Sequence, residues 1–172
     1  MKRWALLCGA MLLFAGIASA QETPKVEVFG GYSFARLSAQ GFGVNFNGGS
    51  ASVSYNPNNW LGLVADFGGY HGGVDFGNAN VYTYLFGPKV AFRRNSVTPF
   101  VQTLFGGAHA TAGSGDVSGS ANSFAMTLGG GLDWNATPHI GVRLVQAEYF
   151  MTRFASTTEN GTRISAGVVF RW

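Results

Sequence analysis

Eight ionisable residues of this chain alternate with apolar neighbours: Glu27, Asp66, Lys89, Arg93, Asp133, Arg143, Arg163 and Arg171. Turned into one enclosed space, they would pair into a network that plugs it, because isolated charge in a narrow interior is expensive. If the same pairs rearrange, they could instead gate the passage of ions; Lys89 and Arg143 are then expected opposite Asp66 or Asp133. Other chemistries find less support. His71, His109 and His139 lie at strand ends or in connections, without the carboxylate or cysteine spacing of a metal site, so no metal or cofactor is expected. His109-Ala110-Thr111 with Glu148 comes nearest to a nucleophile–histidine–acid set but lacks a serine two residues from the histidine; no catalytic residue is assigned and no enzyme is expected. Gly129-Gly130-Gly131 is not a phosphate loop, since it sits in a strand pattern and no Lys or Ser/Thr follows at helix-start spacing.

The segments that must position these residues are strands. VEVFGGYSFAR sets Val26, Val28, Tyr32 and Phe34 against Glu27, Gly31, Ser33 and Ala35. LGLVADFGGYH sets Leu61, Leu63, Ala65 and Phe67 against Gly62, Val64, Asp66 and Gly68. YTYLFGPKVAFR, FAMTLGGGLDW and ISAGVVFRW repeat the pattern, and ASVSYN and HIGVRLVQAEYF give shorter versions. Alternation of this kind puts one side-chain set on each face of a sheet. In TPFVQTLFGGAH both faces mix, and Val101, Thr103 and Phe105 are assigned to the apolar one. In the seventh strand Arg143 and Glu148 have opposite parity, so either a bulge near Gln146 resets the phase or Glu148 lies above the apolar zone. The strand count is eight.

The connections alternate as well. Short turns (56–59, 94–97 and 135–138) follow strands two, four and six; longer segments (37–48, 71–79, 110–122 and 153–161) follow the odd strands and read as loops, the low-complexity GSGDVSGS among them. Sorting of loop length by parity predicts an all-β, eight-stranded antiparallel up-and-down transmembrane β-barrel. Its outer wall is apolar toward lipid, and its inner face is small and polar, with Gly31, Gly62, Gly68, Gly129 and Gly131 making room for opposing charges. Trp60, Trp134 and Trp172, with Tyr55 and Phe92, fall at the short-turn rim and form an interface girdle; Tyr32, Phe34, Phe124, Tyr149 and Phe150 are assigned to the opposite one. A soluble ligand-binding barrel of the lipocalin type would reverse this polarity.

Composition fits. Lys2-Arg3, the apolar run Trp4–Ile17 and Ala18-Ser19-Ala20 make a secretory signal peptide, so residues 1–20 are assigned to a cleaved leader and 21–172 to the barrel. Cys8 lies in the leader, which leaves no disulfide for the mature chain. Removing Lys2 and Arg3 from eleven basic residues leaves nine against eight acids, too balanced for a nucleic-acid partner. Charged residues are 11% of the chain, far below the roughly 25% of soluble domains.

With GGYSF near the mature start, LFGPK in strand four, GGGLDW in strand six and the terminal FRW, the chain is similar to small bacterial outer-membrane β-barrels. It resembles in particular the eight-stranded membrane domain of outer-membrane protein A. The resemblance implies residence in the cell outer membrane, contact with its lipid and lipopolysaccharide, and a monomer. It also implies that the outer-membrane assembly machinery reads the last strand through Ile164, Ala166, Val168, Phe170 and Trp172. The family's soluble peptidoglycan-binding domain has no counterpart here, so wall anchoring is not expected. The expected role is structural or loop-mediated, around a plugged interior. The alternatives are a narrow ion-passing pore and, since some eight-stranded outer-membrane barrels are lipid A-modifying hydrolases, a membrane enzyme.

Overall fold

The computed structural model describes residues 23–39, 42–74, 77–94, 96–114, 117–154 and 157–172; the predicted leader and its cleavage point lie outside the described residues. The strands are β1 Val26–Ala39, β2 Phe42–Tyr55, β3 Leu61–Val74, β4 Gly77–Ala91, β5 Val97–Ser114, β6 Val117–Asn135, β7 Ile140–Phe154 and β8 Thr157–Arg171. Each pairs antiparallel with its sequence neighbours, and β1 pairs with β8 from Glu27↔Arg171 to Ser38↔Asn160, closing the barrel. Closure leaves no strand of the sheet as an open edge, which hydrocarbon demands because it offers no hydrogen-bond partner. The chain end is fastened into this seam: Val26 and Trp172 exchange backbone hydrogen bonds of 3.1 and 3.0 Å.

Two of the short turns are closed by side chains that mimic backbone acceptors. The Leu61 amide donates to Asn58 Oδ1 at 2.8 Å, and the Ile140 amide donates to Thr137 Oγ1 at 2.9 Å. At the opposite end the four segments expected to be loops are mostly ladder. Pairing continues to Ala39↔Phe42, Val74↔Gly77, Ser114↔Val117 and Phe154↔Thr157. Strands of 14 to 19 residues exceed the roughly 9–11 needed to span a membrane, so hairpin ribbons project beyond it. Such ribbons are held by backbone hydrogen bonds and, standing in water, need no apolar face; their Gly, Ser and Asn composition therefore hides a strand.

Strand phase is set by burial. On β5, Val101 and Phe105 face outward and Phe100, Gln102 and Leu104 inward. On β7, Leu132↔Val145 is followed by Asp133↔Arg143, leaving Leu144 as an extra residue. This bulge turns Leu144 and Val145 both outward and brings Arg143, Gln146 and Glu148 all to the inner face. It also places Phe150, assigned above to the outer girdle, inside the barrel at 5% exposure.

Candidate functional site

The inner face at the short-turn end carries one continuous polar network. Glu27 on β1 receives Lys89 Nζ at 2.5 Å, Arg171 Nε at 3.2 Å and Arg93 Nη2 at 3.4 Å. Arg171 reaches on to Asp133 at 3.4 Å, and Asp133 takes Arg143 at 2.8 Å. Arg143 then donates to Gln146, and Gln146 Nε2 donates to Glu148 Oε2 at 2.9 Å. Arg163 closes the chain by bridging Glu148 at 2.6 Å and Asp66 at 2.7 Å. Of these ionised groups only Arg93 is not fully buried. Burial of this many charges is tolerable because each has an opposite partner and neutral groups meet the rest: Gln102 donates to Glu148, and the Ser54 and Tyr70 hydroxyls accept from Lys89 and Arg163.

The pairing differs from expectation in one respect. Arg143 takes Asp133, but Lys89 takes Glu27 and touches neither aspartate. Lys89 and Glu27 lie near the same rim, whereas Asp66 is occupied by Arg163 from across the barrel. Glu148, which the residue pattern left unplaced, is a full member of the network; the polar run Arg143, Gln146, Glu148 at mixed parity was its only signal.

A wholly small and polar interior is not what the barrel has. Arg143 is held between the rings of Phe29 and Phe100, 4.3 and 4.4 Å from their centroids. Toward the hairpin end the inner face turns apolar: Ala35, Phe46, Tyr70, Leu104, Ala108, Ala125 and Phe150 pack there with Leu37 and Val81. The inward glycines make space as expected, although partly for rings. A Cβ on Gly62 would strike Asn56 and approach Lys89; one on Gly131 would meet the Phe100 ring.

On the outer wall, Tyr55, Trp60, Phe92, Trp134 and Trp172 are exposed at the short-turn end. Ile164, Ala166, Val168, Phe170 and Trp172 of the last strand all face outward, with the last two aromatic rings stacked at 6.3 Å. Toward the hairpins the wall becomes polar. His71 Nδ1 and Asn80 Oδ1 are 2.8 Å apart, and His109 Nδ1 and Asn122 Oδ1 2.7 Å. Thr111 Oγ1 lies 3.4 Å from His109 Nε2, but Glu148 is committed to Arg163, Gln102 and Gln146 inside the barrel. The nucleophile–histidine–acid set is therefore not assembled. Among the described residues no three metal-ligating side chains converge.

A closed eight-stranded barrel with a hydrocarbon-compatible outer wall and ion pairs within defines a small outer-membrane β-barrel. The sequence matches the family described as "Outer membrane protein beta-barrel domain" over residues 5–171, and the chain belongs to that family. It is located in the cell outer membrane. Among solved structures it is similar to Neisserial surface protein A (TM-score 0.76, 16% identity, 88% of this chain and 100% of that one). It is also similar to Ail, the attachment invasion locus protein of Yersinia pestis (TM-score 0.61, 21% identity, 86% and 99%). The N-terminal β-barrel domain of Pseudomonas aeruginosa OprF matches as well (TM-score 0.58, 16% identity, 88% and 100%). At these identities the likeness is one of fold. No curated protein matches the sequence.

Proposed function

We propose that this outer-membrane barrel is a closed, non-enzymatic monomer that acts through its projecting hairpins, in contact with membrane lipid and lipopolysaccharide. The observation that carries the reading is the unbroken interior chain from Arg93 through Glu27, Arg171, Asp133, Arg143, Gln146, Glu148 and Arg163 to Asp66. Eight strands enclose a space that side chains fill, and here both charged and apolar groups fill it. The role of Ile164, Ala166, Val168, Phe170 and Trp172 as an assembly signal belongs to the same proposal, as does removal of residues 1–20. It is supported by the outward placement of all five side chains on the closing strand.

Two measurements test this. Folded barrel should migrate differently from boiled barrel on a detergent gel, as a closed ladder resists detergent. In a planar bilayer the protein should show no sustained conductance; steady single-channel openings would overturn the closed reading and support the narrow pore. Hydrolysis of lipid A by the purified barrel would contradict its non-enzymatic character.

A further inference from the structure

The outer wall has one feature that neither closure nor the interior network requires. On β2 and β3 the outward positions midway along the wall are Gly49, Ala51 and Gly69, where neighbouring positions carry Tyr32, Phe67, Tyr82 and Tyr84. The small residues form the floor of a groove of about 1060 Å³, counting the open space above it, with Phe67, Tyr82 and Tyr84 along its side. The next outward position on each strand is polar. Asn47 on β2 pairs with His71 on β3, and His71 with Asn80 on β4. Asn80 lies opposite Thr111 on β5, and His109 opposite Asn122 on β6. Tyr32 donates to Asn47 Oδ1, His71 pairs with Asn80, and His109 pairs with Asn122 and Thr111, so a cluster of hydrogen-bonding side chains borders the groove.

We propose that this groove and its border are a binding site for one outer-leaflet glycolipid, an acyl chain lying over Gly49, Ala51 and Gly69 and the sugar headgroup meeting Asn47, His71, Asn80 and His109. The proposal rests on the outer-membrane placement and on the lipopolysaccharide contact proposed above. The floor faces the hydrocarbon side of the wall, and a groove left empty there forfeits the dispersion contacts that an acyl chain supplies. Asn47, His71 and Asn80 lie one ladder step beyond, at the level where a headgroup begins, and His109 flanks the groove behind Tyr82 in the row of Gly49 and Gly69. Among the described residues this border offers imidazole, amide and hydroxyl groups and no lysine, arginine or carboxylate, which suits sugar hydroxyls and amides better than a bare phosphate.

The floor can be filled without disturbing the barrel. A Cβ on Gly49 would have only the Gly31 carbonyl nearby, at 3.5 Å, and one on Gly69 only the Tyr82 ring, from 3.6 Å. Gly49→Leu/Gly69→Leu should therefore fold and occupy the groove, and Ala51→Leu fills it from β2 without replacing a glycine. The test is native mass spectrometry of the detergent-solubilised full barrel with added lipid A, and separately with phosphatidylethanolamine. The wild type is expected to retain one lipid A molecule in preference to phosphatidylethanolamine. Both filled variants should lose that retention by about tenfold or more. His71→Leu/His109→Leu should keep phosphatidylethanolamine binding and lose the preference for lipid A. Filled variants that keep the heat-dependent gel shift and retain lipid A like the wild type would overturn the site, as would equal retention of the two lipids by the wild type. A wild type lacking the gel shift would instead count against the membrane barrel itself.

Discussion

The two ends of the barrel interior are filled by opposite chemistry. At the short-turn end Glu27, Lys89, Asp133, Arg143 and Arg171 are buried in ion pairs; at the hairpin end Phe46, Leu104, Ala108, Ala125 and Phe150 pack as an ordinary core. Arg163, bonded to Asp66, Glu148 and the Tyr70 hydroxyl, marks the boundary. The contrast teaches that the proposed closure has two parts in series. Charges keep an interior sealed only while each has its partner, whereas apolar side chains exclude ions without needing partners. Loosening the ion pairs alone should not open a path.

The comparison breaks most severely at its boundary. Arg163→Met strands the Asp66 and Glu148 carboxylates together and should cost about 3–5 kcal/mol, read as a lowered urea midpoint for unfolding from lipid vesicles. Adding Asp66→Asn and Glu148→Gln to that variant should restore much of the loss, because the neutral groups no longer need a cation. Leu104→Ala at the apolar end should cost about 2–5 kcal/mol by opening a cavity, yet leave the bilayer conductance at zero because the ionic end is intact. Lys89→Met should be milder, about 1–3 kcal/mol, since Glu27 keeps Arg171 and Arg93. If Lys89→Met proved costlier than Arg163→Met, the boundary would lie elsewhere.

Much of the architecture was legible in the residue order. Alternation in β1, β3, β4, β6 and β8 and the parity of connection lengths reflect rules that act strand by strand. What could not be read depends on pairing across strands. Asn45, Asn47 and Ser120 look like loop residues, but their backbones pair with a neighbour whose presence no local composition reveals. Glu148 and Phe150 were hidden by the extra residue at Leu144, a bulge that β7 can place only against its partners. Phe29 and Phe100 were missed as interior residues for another reason. Alternation separates the faces of a strand, but only three-dimensional packing shows that Arg143 needs a ring on each side.

The central claim is that hydrocarbon touches the outside of the cylinder while its ionised and core groups are turned inward. β5 tests it most directly, because its faces mix in sequence and residues 21–172 contain no cysteine to interfere. Nitroxide labels placed one at a time at residues 100 to 105 in lipid vesicles report contact with oxygen dissolved in the hydrocarbon. Accessibility should peak at 101, 103 and 105 and fall at 100, 102 and 104; a flat profile or the opposite phase would contradict the account.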